Sequence, residues 1–181
     1  MVRYYTGIGS RNISAREQRI IKLIAQLLRE KGFIVYSGNA KGADIAFQEG
    51  SDGECLISLP WSGFNKYLYD YENRSIDRLI VPNVYTPDFK DGLDSVEVFH
   101  HNPKKLDDRG KRLMVRNYYQ VTGFNNYPKS EIVICCADED DRGRVMGGTG
   151  QAVRIAKSMK IPVINIREEI NWLKRIKELI K

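Results

Sequence analysis

The sequence has few of the residues that hold small secreted folds together or build metal centres. Its three cysteines, Cys55, Cys135 and Cys136, are an odd count with two adjacent, which argues against a disulfide framework and against CxxC-type metal spacing. Reduced, buried thiols are expected. Histidine is scarcer still: His100 and His101 are the only two, and no Cys/His/Asp cluster at ligand spacing accompanies them, so no metal site is expected. Long apolar runs are missing too. Stretches such as 132–137 fall far short of the roughly 20 residues that cross a bilayer, so no membrane span is expected. The start, Met1-Val2-Arg3-Tyr4-Tyr5-Thr6-Gly7, lacks the apolar core and cleavage site of a secretory signal, which makes the cytoplasm the expected compartment. Two nucleotide motifs are also absent. There is no P-loop, and Asn12 stands where a dinucleotide fingerprint beginning Gly7-Ile8-Gly9 needs its third glycine; a P-loop NTPase and a nicotinamide-dependent oxidoreductase are both disfavoured.

What remains is the composition of a globular protein, 42% hydrophobic and 29% charged over 181 residues, a length that suits one domain spanning 1–181. Lysine and arginine number 29 against 23 acidic residues, a net charge of +6, which favours anionic partners without naming one. Short β-branched runs alternate with segments of helical period, the pattern of parallel βαβ units. The expected fold is therefore α/β: a Rossmann-like three-layer sandwich with a mostly parallel sheet and helices on both faces. Strands are predicted at 3–8, 33–36, 55–59, 131–137 and 161–166. Helices are predicted at 14–31, with Ser14 and Glu17 as a capping box and Gly32 closing it, from Gly42 to about Glu49, and at 107–121, 149–160 and 168–181. Residues 61–104 show no clear period and read as an irregular, aromatic-rich excursion.

In an open parallel sheet, ligands bind beyond the carboxyl ends of the strands, where glycine turns and helix N-termini expose backbone N–H groups to negative charge. Three such junctions occur. In the first, Gly9 permits close approach, Ser10 offers a hydroxyl and Arg11 a guanidinium for a phosphate. In the second, Ser37-Gly38-Asn39-Ala40-Lys41-Gly42-Ala43-Asp44, Lys41 could neutralise a phosphate, and Asp44 could accept from a ribose hydroxyl or simply complement the helix dipole. In the third, Gly147, Gly148, Thr149 and Gly150 form a nest of N–H donors ahead of a helix starting near Thr149.

These segments, together with the pair Arg116-Asn117, resemble the Rossmann-like core of the DNA-processing protein DprA and its relatives in the SLOG superfamily. The resemblance runs over roughly residues 3 to 166, with little support between Ser62 and Pro103, and is most specific at the second junction. It implies a phosphate pocket at the strand ends formed by Gly9, Ser10, Arg11, Ser37, Gly38, Lys41, Gly42, Asp44, Arg116, Asn117, Gly147, Gly148, Thr149 and Gly150. The leading expectation is a bound nucleotide of the AMP, ADP-ribose or cyclic-nucleotide type, held by a sensor, a sequestering protein or a hydrolase. One alternative is a single-stranded DNA-binding recombination mediator. Another is a nucleoside-monophosphate N-glycosidase like the LOG phosphoribohydrolases, although Met146, Gln151 and Arg154 depart from that motif, and Arg154 stands at the position of the catalytic glutamate. No catalytic residue is assigned. Members of the superfamily commonly dimerise, so a homodimer or higher homo-oligomer is expected, and free-standing cores of this size resemble small DprA-like proteins of phages and bacteria.

Other candidates are weaker. His100 and His101 suit loop structure or proton transfer. The acidic run 138–141 reads as a solvated loop, or a place for Mg²⁺ or a ribose. Arg142, Arg144 and Arg154 gather near the third junction, and Trp61, Phe64, Tyr67, Tyr69 and Tyr71 form a hydrophobic flap or a base-stacking platform.

Overall fold

The computed structural model describes residues 2–66, 79–80, 87–124 and 127–181. Six strands, β1 (Arg3–Gly9), β2 (Phe33–Ser37), β3 (Cys55–Ser58), β4 (Leu79–Ile80), β5 (Ile132–Cys136) and β6 (Val163–Asn165), pair in the order β4-β3-β2-β1-β5-β6. Every ladder is parallel. This is the expected α/β, Rossmann-like sheet. Among the described residues, six α-helices accompany it: α1 (Ala15–Glu30), α2 (Ala43–Ser51), α3 (Pro87–Phe99), α4 (Asp108–Thr122), α5 (Gly147–Ser158) and α6 (Trp172–Leu179). Among the described residues, no helix is long and apolar enough to cross a membrane.

Strand residues alternate between the two faces, as the period of two requires. Tyr5, Ile132, Ile134 and Cys136 join Ile21, Ile24 and Leu28 of α1, Phe47 of α2 and Ile176 of α6 in one buried layer. Ile8, Val133 and Cys135 point the other way, onto Val153, Ile155 and Ala156 of α5. Further along that face, Tyr4, Tyr36 and Leu56 pack against Val96 of α3 and Met114, Val115 and Tyr119 of α4. Because both faces are covered, the strands read as nearly continuous apolar runs. The capping box also forms: Ser14 accepts from the Glu17 amide at 3.1 Å while the Glu17 carboxylate accepts from the Ser14 amide at 2.6 Å.

Three expectations need correction. Helix α5 starts at Gly147 rather than near Thr149, with Met146 as N-cap, so the glycines form its first turn instead of a loop before it. The terminal helix starts only at Trp172, after turns at 166–168 and 170–171. The aperiodic stretch 61–104 contains α3, whose low helix propensity residues, Asp91, Gly92, Asp94, Ser95 and the β-branched Val96 and Val98, are outweighed by packing of Phe89 and Val96 on α4.

Gly7 of β1 faces the ring of Phe47: a Cβ there would lie 2.5 Å from its Cγ. Gly7→Ala should therefore cost about 1–3 kcal/mol through overpacking, read as a lower urea midpoint; an unchanged midpoint would show that β1 and α2 are less tightly joined than described.

Candidate functional site

The strand order reverses direction between β1 and β5. Beyond β1 the chain crosses to α1 on one face, and beyond β5 it crosses to α5 on the other, which opens a crevice at their carboxyl ends. Gly9 lies opposite Cys136 in the ladder, and the Ser10 amide extends it by donating to the Cys136 carbonyl at 2.7 Å. A Cβ on Gly9 would stand 2.5 Å from that carbonyl oxygen and 2.8 Å from Ala43, so only glycine lets β1, β5 and α2 converge here. The crevice is a cavity of about 340 Å³. Gly9, Ser10 and Arg11 line one wall, Gly147, Gly148 and Thr149 the opposite one, and Leu113, Met114, Arg116 and Asn117 of α4 a third, with Asp44 at the base.

Arg116 and Asp44 are 5% and 1% exposed. Nη1 of Arg116 is 3.6 Å from the Asp44 carboxylate and donates to the Gly38 carbonyl at 2.6 Å. The same carboxylate accepts from the amides of Gly38 at 3.1 Å and Ala40 at 3.4 Å. Burial pushes the Asp44 carboxyl up, opposed by the Arg116 guanidinium and the amides of Ala40, Gly38 and Gly9. Burial pushes Arg116 down, opposed by Asp44. The pair makes the base of the cavity nearly neutral. Asn117 donates to the Gly148 carbonyl at 3.1 Å, which ties α4 to the first turn of α5. Nε of Arg116 and Oδ1 of Asn117 are buried with no hydrogen-bond partner among the described residues.

Nine of the fourteen expected residues line the cavity: Gly9, Ser10, Arg11, Asp44, Arg116, Asn117, Gly147, Gly148 and Thr149. The other five lie outside the lining. Ser37 is buried and accepts from Gln48 at 2.7 Å. Gly38 lies directly under the Arg116 guanidinium, where a Cβ would collide with it. Gly42 has φ +83° at the start of α2, where a Cβ would collide with the Ser10 and Arg11 carbonyls. Lys41 is exposed outside the cavity lining, and Gly150 packs against the Val145 carbonyl. Asp44 holds Arg116 and the two amides through Oδ2, while its Oδ1 is buried with no hydrogen-bond partner among the described residues.

Sequence reasoning missed Met146, Ala137 and the α4 residues Leu113 and Met114 of the lining, as well as Arg167. Arg167 donates to Glu17 at 2.6 Å, to Asp138 at 2.8 Å and to the Asn12 carbonyl at 3.0 Å, stapling the loops after β1 and β5 at the cavity rim. No short-range pattern signals a contact 150 residues apart. Trp61 and Phe64 meet edge to face with centroids 5.1 Å apart, and the Arg116 guanidinium sits 5.7 Å from the Phe64 ring; Phe64 is thus engaged with Arg116, and Tyr67, Tyr69 and Tyr71 lie outside the described residues. Arg144 and Arg154 line a different cavity with His100 and His101, and Arg142 is exposed.

Residues 2–67, the segment carrying the first two junctions, match the family model described as DNA recombination-mediator protein A. A solved structure of DNA processing protein A from Helicobacter pylori, described for its unique single-stranded DNA binding mode, superposes with a TM-score of 0.51 at 15% identity, covering 98% of this chain and 72% of that one. This chain has a DprA-like core. Among curated proteins, none matches it. The structural likeness concerns the fold, while the family match covers β1, β2 and the turn that builds the Asp44 end of the cavity.

Two outcomes test this construction. Asp44→Asn leaves Arg116 buried without its counter-ion and should cost about 3–5 kcal/mol in chemical denaturation; a loss below about 1 kcal/mol would mean that the pair does not hold the base. The Arg167 guanidinium is the main reason that the Glu17 carboxyl drops to about 2, below its unfolded value near 4.3. The contribution of Glu17 is therefore complete above about pH 4.3 and is lost as pH falls toward 2. Glu17→Gln should reduce the acid-induced fall in melting temperature across that window, by a modest amount because solvent screens the pair; an identical acid profile would exclude the linkage.

Proposed function

We propose that the protein binds single-stranded DNA, as a DNA recombination mediator, and holds one nucleotide of the strand in the crevice between β1 and β5. The observation that carries this reading is that the segment matching the recombination-mediator family, residues 2–67, supplies Gly9, Ser10, Arg11 and Asp44 of the cavity. The described single-stranded DNA binding of the Helicobacter pylori neighbour supports the same ligand. The chemistry suits a phosphodiester. The first turn of α5 has no side-chain cap, so its amides at 147–149 are donors for an anion at the positive end of the helix dipole. Arg11 adds an exposed guanidinium able to grip two phosphate oxygens. The orphaned Nε of Arg116 and Oδ1 of Asn117 offer one donor and one acceptor to the sugar or base. The three cysteines are buried and form no disulfide among the described residues, in keeping with a reducing compartment such as the cytoplasm.

A second reading, a free nucleotide of the AMP, ADP-ribose or cyclic-nucleotide type, is favoured by the cavity volume of about 340 Å³, which lies at the small end of ligand sites. Fluorescence anisotropy with labelled oligo-dT, competed by each nucleotide, separates the two. Single-stranded DNA binding should weaken with salt, with a logarithmic slope of about 0.7 per neutralised phosphate, and Arg11→Gln should weaken it about tenfold through loss of a charged hydrogen bond. Absence of oligo-dT retention at low salt, with tight binding of a mononucleotide, would replace the first reading by the second.

A further inference from the structure

A second cavity, of about 330 Å³, lies between the C-terminal end of α3 and the N-terminal half of α5. Met146 and Gly147 line both cavities, so the two adjoin across the start of α5. Arg154 is the central cation. Its Nε donates to the Phe99 carbonyl at 2.5 Å, its Nη2 is buried with no hydrogen-bond partner, and it forms no ion pair among the described residues. The one carboxylate of the lining, Asp140, is held by Arg144 at 2.6 Å. His100 and His101 complete the wall, rings 4.5 Å apart. Nδ1 of His100 accepts from the Asn102 amide at 3.2 Å, which leaves its Nε2 as the protonated donor in the neutral ring. Burial, with His101 and Arg154 as like-signed neighbours, lowers the His100 pKa and favours that neutral form.

An unpaired guanidinium with an unused N–H, beside an imidazole N–H donor, calls for an oxyanion. We infer that this second cavity takes a further phosphate of the same strand, which passes from the crevice over Met146 and Gly147 to Arg154. The inference rests on the single-stranded DNA reading and adds the direction in which the strand leaves the crevice.

Anisotropy titrations of oligo-dT across a salt series test it, with Arg11→Gln as the comparison for the first cavity. Arg154→Gln is expected to bind about tenfold more weakly and with a salt slope lower by about 0.7, the value of one phosphate contact on a single strand. Arg154→Lys is expected to keep the wild-type slope. Arg144→Gln alters a largely exposed side chain and leaves Asp140 uncompensated in the cavity, so it should weaken binding several-fold even where the Arg154 variants fold poorly. Wild-type affinity and slope in Arg154→Gln and Arg144→Gln, with Arg11→Gln weakened, would overturn the second cavity's role and leave the first reading intact. Failure of the wild-type protein to bind oligo-dT would overturn both.

Discussion

Arg116 reaches from the middle of α4 to the turn after β2, where its guanidinium spans the Gly38 carbonyl and the Asp44 carboxylate. A buried arginine needs both a counter-charge and acceptors for its N–H groups, because desolvation otherwise outweighs any packing it provides. The second junction meets that need with a carboxylate that is itself fixed by the amides of Gly38 and Ala40. Much of the site's geometry follows. The turn cannot relax without exposing Asp44, α4 cannot withdraw without stranding Arg116, and Asn117, the next residue along, is thereby set to hold Gly148 at the start of α5.

A division of labour results between base and rim. The base is electrically quiet, since its one cation and one anion cancel, and it contributes shape and three unused polar atoms, Oδ1 of Asp44, Nε of Arg116 and Oδ1 of Asn117. Positive potential comes from the exposed Arg11 and from the uncapped amides of α5. The net charge of +6 therefore overstates what a ligand meets in the crevice: Arg116 is neutralised there, and Lys41 stands outside the lining.

Much of this was legible in the sequence, for physical reasons. The strands carry continuous apolar runs because both sheet faces are covered, and α1 announces itself with a capping box. The glycine junctions are visible because close backbone approach admits no side chain, as at Gly9 beneath the Cys136 carbonyl. What stayed hidden depends on tertiary packing. Helix α3 is built from poor helix formers that its packing against α4 and α5 makes worthwhile. The role of Asp44 could not be known without seeing that Arg116, 72 positions later in the chain, comes to lie against it. Ser37, Gly38 and Gly42, expected at the phosphate pocket, do not line the cavity; Gly38 and Gly42 lie behind it, as the frame that seats Arg116 and α2.

The placement of charge at the rim and neutrality at the base has a kinetic meaning. Exposed charges act at a distance and govern how often an anion arrives, whereas buried hydrogen-bonding groups act on contact and govern how long it stays. Under the proposed function, Arg11 belongs to the first class and Arg116 with Asn117 to the second. Arrival and residence are thus entrusted to different segments of the chain, so that selection can adjust the speed of capture at the mouth without disturbing the ion pair on which the fold of the crevice rests.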